Sequence, residues 1–250
     1  MDAGLLFSFL AVLARVSGFF AFVPLPGGKN GPEAARVVLA LGFTLALYRQ
    51  WPTLTASPSM GWFVVVMAAE AALGITVGFA VACLTEVFLM AAQVAGLQAG
   101  YGYASTIDPA TQADATVLLV LAELIAGLMF FATGLDREIL RVFARSLETY
   151  PPGTYVVTGS AAAALVKLGA GIFSAGVRLA LPVVALLALV DVALALLGRL
   201  NAQLQLIALA FPAKMLAALG MLAALAVLYP RIYASGARET LRVLARVLGN

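Results

Sequence analysis

The chain has no histidine, a single cysteine and few charges, with 15 Lys plus Arg and 12 Asp plus Glu in 250 residues. The absence of histidine removes the commonest general base and the commonest metal ligand. One cysteine cannot close an internal disulfide, and Cys83, set in an apolar run, reads as a small buried hydrophobe. A charged share of 11% lies well below the roughly 25% of soluble domains. What is abundant is hydrocarbon: 63% of residues are hydrophobic and the mean hydropathy is +1.04. The composition is that of an all-α integral membrane protein.

The formal net charge of +3 sits at one end. Arg231, Arg238, Arg242 and Arg246 against Glu239 give 4 − 1 = +3, so the rest of the chain is neutral. A nucleic-acid partner would require a broad basic face in polar surroundings. A short basic tail on an apolar chain excludes that class and reads as a juxtamembrane segment. From Arg231 to Asn250 the pattern is amphipathic, with Arg238, Arg242 and Arg246 on one stripe and Leu241, Leu244 and Leu248 on another. That fits a membrane-surface helix beside anionic lipid, or a helix that docks on another subunit.

The apolar run from Leu5 to Val23 begins after Asp2 instead of a basic region and carries Arg15 in its middle, so it reads as a retained first helix. A second helix is expected over Ala34 to Trp51, after a turn at Pro24 to Pro32. The segment from Met60 to Ala92 would reach roughly 50 Å as one straight helix, more than a hydrocarbon core of about 30 Å. It is therefore a long projecting helix or a hairpin turning near Gly74 to Gly78. Gly74, Gly78 and Ala82 have the small-residue spacing that lets helices approach closely. Glu70 and Glu86 on this segment call for protein neighbours rather than lipid. Thr116 to Thr133 is a further apolar run containing Glu123, and Asp136 to Glu148 is a charged helix ended by Tyr150-Pro-Pro-Gly153. From Ala161 to Tyr229 two or three helices fit, interrupted by Pro182, Asp191, a turn from Gly198 to Gln203, Pro212 and Lys214. Lys167 and Arg178, eleven residues apart, share one apparently buried helical face.

Between these runs lies the longest polar, glycine-punctuated interval, Gly96 to Asp114. Gly96, Gly100 and Gly102 and the turn pair Asp108-Pro109 predict a break in the helix, while Tyr101, Tyr103 and Ile107 suit a loop that packs against something. Two aspartates and no Lys or Arg in 93–115 place it on the non-cytoplasmic side, with Lys29, Arg36, Arg137 to Arg145 and the C-terminus opposite. Single passes at 34–51 and 60–92 put it on the wrong side, so either the third segment is a hairpin or some helices do not span the bilayer.

Two blocks of sequence resemble one family. Gly96-Leu-Gln98, Gly100 with Tyr101, Ala104-Ser-Thr-Ile107 and Asp108-Pro109 form the first. Leu181-Pro182, Leu194 to Leu197, Gly198-Arg199, Gln203-Leu204 and Phe211-Pro212 form the second. Both are similar to signatures of the FliR family of flagellar export-gate proteins and its injectisome counterparts, over nearly the whole chain. The resemblance implies a single 1–250 domain of kinked helices, non-enzymatic and without a cofactor, packed into a heteromeric helical ring at the inner membrane of the flagellar basal body. Residues 1–180 would correspond to a FliP-like part, 181–230 to a FliQ-like helix pair and 231–250 to the basic tail. FliP-like and FliQ-like subunits would complete the ring, with an FlhB-like subunit nearby, membrane lipid around it and unfolded export substrates passing through. The family's pore plug would correspond to Ala99 to Ala115. Tyr101, Tyr103 and Ile107 would seal it, Gly100 and Gly102 would fold it inward, and Asp108-Pro109 would return the chain to the wall.

The resemblance also implies that the helices lie largely above the membrane plane, so that Gly74, Gly78, Glu70, Glu86, Lys167, Arg178, Asp191, Arg199, Gln203 and Pro212 serve subunit packing or are buried charges. Departures from the family pattern are Ala99 for a bulky apolar residue, Thr106 near an expected aromatic, Asp191 for Asn and Ala202 for Pro. A proton-coupled carrier is the competing reading of Glu70, Glu86, Glu123, Lys167, Arg178 and Asp191. It lacks matched interrupted helices. A membrane-embedded enzyme lacks both histidine and any paired-carboxylate spacing.

Overall fold

A computed structural model describes residues 3–23, 33–51, 59–101, 116–155, 159–200 and 206–248, and among them there is no strand. In chain order the helices are α1 (Ala3–Phe22), α2 (Glu33–Ala46), a 3-10 turn (Tyr48–Gln50), α3 (Met60–Ala99), α4 (Thr116–Ala132), α5 (Leu135–Thr149), α6 (Gly159–Leu200), α7 (Leu206–Leu225), a second 3-10 turn (Ala226–Leu228) and α8 (Tyr229–Val247). α1, α3 and α6, and the stretch Ala210–Val247, are long and apolar enough to cross a membrane.

The segment over 60–92 is one helix, so the hairpin near Gly74 to Gly78 is set aside. Nothing between Met60 and Ala99 breaks it: the segment has no proline, and at Gly74 and Gly78 neighbouring backbone takes the space of the missing side chains. It also runs four residues into the interval expected to be irregular from Gly96. The second helix stops earlier than expected, at Ala46. Past that point the indole N–H of Trp51 donates to the carbonyl of Thr44 at 3.1 Å, satisfying one of the oxygens a helix end leaves open. Gly198 and Arg199, expected in a turn, form the last turn of α6.

The chain divides into two compact units, and α3, α6 and α8 each contribute to both. One unit holds 1–84, 130–169 and 235–250; the other holds 85–129 and 170–234.

In the first unit α1 lies against α3 at backbone distance. A Cβ on Gly74 would stand 1.9 Å from the carbonyl oxygen of Arg15, and one on Gly78 2.4 Å from that of Phe19. On the other side of the crossing, a Cβ on Gly18 would stand 2.5 Å from the carbonyl of Ala71. The small-residue spacing of α3 thus receives a helix of the same chain. Beside it Phe19 and Phe43 both meet the ring of Phe143 on α5, at 4.7 and 5.8 Å between centroids. α5 is strongly amphipathic: Leu135, Ile139, Phe143 and Leu147 are buried at intervals of four, and Asp136 and Glu138 in the first turn suit the positive end of the helix dipole. α8 behaves likewise. Ala237, Leu244 and Leu248 are buried, so the apolar stripe expected to meet lipid is already covered by protein, whereas Arg238, Arg242 and Arg246 are exposed.

In the second unit, Ala95 and Ala99 of α3, Val183 and Leu187 of α6 and Ala218 of α7 form a core cluster, with Ala92, Leu118 and Ala122 forming a second. An apolar cavity of about 260 Å³ lies among α3, α4, α6 and α7, walled by Phe88, Ala92, Leu118, Ala180, Val183 and Leu222.

Candidate functional site

Within the second unit, the end of α3 is where the chain enters the central interval, and its geometry is closed by hydrogen bonds. The Tyr101 N–H donates to the Gly96 carbonyl at 3.1 Å and the Gly100 N–H to the Leu97 carbonyl at 3.2 Å, a Schellman cap with Gly100 at φ +84°. Two constraints require glycine at 100. The left-handed backbone disfavours any side chain, and a Cβ would lie 2.8 Å from the Phe211 ring of α7. Tyr101, the next residue, packs half-buried against both core clusters of this unit. Burial raises its hydroxyl pKa above the usual value for tyrosine, so the ring stays neutral.

Two residues before Gly100, α3 presents Gln98 to a charged node. Asp191 of α6 accepts from Lys214 of α7 through both carboxylate oxygens, at 3.0 and 3.1 Å, and Gln98 Nε2 lies 3.4 Å from the same carboxylate. The ammonium is the more enclosed partner, its side chain 15% exposed against 45% for Asp191. The acid standing where the family pattern has an amide is therefore neutralised by Lys214. Three helices meet at this node, next to the point where the central interval begins.

The second constellation lies in the first unit and is fully buried. Arg15 and Glu70 are each 0% exposed, and the Arg15 Nε donates directly to Glu70 Oε2. The rest of the guanidinium is spent on main-chain oxygens at the end of α5: Nη1 on the Ser146 carbonyl at 2.9 Å and Nη2 on the Tyr150 carbonyl at 2.8 Å. Glu70 Oε1 in turn accepts from the Gly153 N–H at 2.9 Å, which the Pro151-Pro152-Gly153 turn presents with Gly153 at φ +93°. A charge is costly to bury unless its whole hydrogen-bonding capacity is met, and here both ions are met from three segments. Tyr155 lies beside this knot. Its hydroxyl pKa is raised by burial and by Tyr150, against the opposing pull of Arg15 and the Thr76 hydroxyl.

The other residues singled out in the sequence fall as follows. Glu70 is a buried charge and finds its partner, Arg15, inside the chain. Glu86 and Glu123 are half-buried on α3 and α4. Lys167 and Arg178 are both exposed on α6: the chain by itself does not bury the cationic face. Arg199 is exposed and Pro212 lies inside α7, also exposed. Gly102, Tyr103, Ile107, Asp108, Pro109 and Gln203 lie outside the described residues. Sequence reasoning missed Ser146, Tyr150 and Gly153, because carbonyl and amide ligands carry no side-chain signature. Lys214 was legible as the only cation between Pro212 and Tyr229, facing a lone acid on the preceding helix.

Comparison with known proteins agrees with both motif blocks. The family described as bacterial export proteins, family 1, matches residues 6–240. The flagellar biosynthetic protein FliR of Escherichia coli strain K12 is 29% identical over 216 residues, covering 85% of this chain and 82% of its own length. FliR of Bacillus subtilis strain 168 is 26% identical over 223 residues, 83% and 81% of the two chains, and FliR of Caulobacter vibrioides is 25% identical over 214 residues, 85% of each. With the match spanning every helix from α1 to most of α8, the chain belongs to the bacterial export proteins of family 1, the FliR family of flagellar biosynthesis.

Proposed function

We infer that the chain is a non-enzymatic core subunit of the flagellar type III protein export gate, in the bacterial inner membrane at the basal body. It joins FliP-like and FliQ-like subunits, beside an FlhB-like subunit, to form the channel for unfolded flagellar proteins. The observation that carries this reading is the family match over residues 6–240, with relatives that bear a flagellar export name. Those flagellar names also favour the flagellar gate over its injectisome counterpart. Affinity purification of the tagged chain from its native membrane, with intact-complex mass spectrometry, is expected to find one copy with several FliP-like and FliQ-like subunits. A stable monomer or homodimer without them refutes the reading.

In this gate the central interval acts as the plug. Tyr101, anchored in the core at its root, Tyr103 and Ile107 supply the apolar seal, Gly100 and Gly102 the inward fold, and Asp108-Pro109 the return. Removal of residues 102–115 is expected to leave assembly intact and to raise the leak of small ions across the membrane. An unchanged leak in an assembled deletion variant eliminates the plug.

A further inference from the structure

A nine-residue motif occurs twice in the chain. Arg137-Glu-Ile-Leu-Arg-Val-Phe-Ala-Arg145 on α5 and Arg238-Glu-Thr-Leu-Arg-Val-Leu-Ala-Arg246 on α8 differ only at Ile139/Thr240 and Phe143/Leu244. The copies are used alike in the fold. Ile139, Phe143 and Leu147 are buried in one, Thr240, Leu244 and Leu248 in the other. Arg137, Arg141 and Arg145, and equally Arg238, Arg242 and Arg246, form an exposed row. Each row carries the same i,i+3 pair, Arg141 with Glu138 at 2.8 Å and Arg242 with Glu239 at 3.5 Å. At 1.5 Å per residue, successive guanidinium groups in a row start about 6 Å apart along the axis.

The copies differ in net charge. On α5, Asp136, Glu138 and Glu148 cancel the three arginines. On α8 only Glu239 opposes Arg231, Arg238, Arg242 and Arg246, which leaves the chain's entire excess of +3 there. α8 also follows the apolar α7 with only the turn Ala226–Leu228 between them, and Arg238 comes thirteen residues (238 − 225) after the end of α7 at Leu225. Basic residues within about 15–20 residues of the end of a membrane-length helix are the ones that respond to the anionic membrane surface. The most buried apolar residues of α8 are covered by protein, and what it offers outward is three guanidinium groups against one carboxylate, Glu239; each guanidinium is a fork that fits phosphate oxygens two at a time.

We propose that the α8 arginine row binds the phosphate headgroups of anionic phospholipids, and that its charge-balanced twin on α5 does not. Lipid is favoured over an acidic protein partner because the row follows, along the chain, the 20-residue apolar helix α7, and basic residues close behind such a helix meet anionic headgroups. The inference needs a membrane location and not the export assembly, so the two can fail separately.

The test uses the full chain, in its native complex or alone, reconstituted in vesicles of equal parts phosphatidylcholine and phosphatidylglycerol and then released for native mass spectrometry. The parent should retain phosphatidylglycerol selectively and lose it as salt rises. The triple variant R238Q/R242Q/R246Q should retain on the order of tenfold less, R137Q/R141Q/R145Q about as much as the parent, and R238K/R242K/R246K most of it. Equal retention by the parent and the α8 glutamine variant overturns the proposal. So does equal loss from the α5 variant, or loss of a protein subunit in place of lipid. Should the glutamine variant fail to fold, the salt dependence of the unmodified protein decides: retention indifferent to salt and headgroup also overturns it.

Discussion

Replacement of Arg15 by methionine is expected to cost about 3–5 kcal/mol, enough to abolish a stable fold in many single domains. The loss exceeds that of one ion pair because of what stays behind. Glu70 remains buried with the Gly153 N–H to offset its charge, the carbonyl of Tyr150 loses the Arg15 donor, and that of Ser146 keeps only the Tyr150 N–H. The double variant R15M/E70L removes both charges and fills part of the space with hydrocarbon, so it should be more stable than R15M alone. Thermal unfolding of the purified parent, both single variants and the double variant gives the coupling energy directly. A double variant no better than R15M would show that the stabilisation lies in the carbonyl contacts and not in the pair.

The second large effect is steric. In a Gly74→Val variant the new Cβ would lie 1.9 Å from the Arg15 carbonyl oxygen, with the Arg15 carbonyl carbon and the Phe19 amide nitrogen at 2.9 and 3.0 Å. These are backbone atoms of a helix and cannot rotate away. α1 must move off α3 as a body, opening the contacts at Gly18 and Gly78 as well. A destabilisation of about 3 kcal/mol or more is expected, at or above the usual upper range for overpacking. Gly42→Ala is the control: it sits on α2 with nothing within 4 Å of its added methyl, so the gain in helix propensity should leave stability unchanged or raise it by about 0.5–1 kcal/mol. Equal unfolding midpoints for the two variants would rule out the close crossing of α1 and α3.

These two sites mark how far the sequence could be read. Helices over 5–23, 60–92, 116–133, 136–148 and 231–250 were legible because each is a run of hydrocarbon, or an amphipathic period, longer than any competing element. Their ends were less so. Gly96 looked like the start of irregular structure, yet a helix carries a glycine through its last turn when the left-handed residue is Gly100, a choice fixed by the cap bonds and by Phe211. Burial of Glu70 followed from its apolar setting. Its pairing with Arg15 did not, because 55 residues separate them and no local rule joins two helices across that distance. Two lone opposite charges on two otherwise uncharged helical faces were the signal available. The same arithmetic would have joined Asp191 to Lys214. It would not have placed Lys167 or Arg178, whose exposure depends on which side of α6 the rest of the fold leaves open.

The knot around Arg15 also sets an order of events during synthesis. Its ligands come from Glu70, Ser146 and Tyr150, the last of them 135 residues downstream. At 5–20 residues per second, the first helix waits roughly seven to twenty-seven seconds before the end of α5 exists. Glu70, made 55 residues after Arg15, can neutralise the guanidinium earlier, but until Tyr150 the pair lacks the main-chain ligands that complete its burial. The N-terminal helix is therefore the first to be made and among the last to settle, and an interruption of translation before Tyr150 leaves a buried ion pair with part of its hydrogen-bonding capacity unmet.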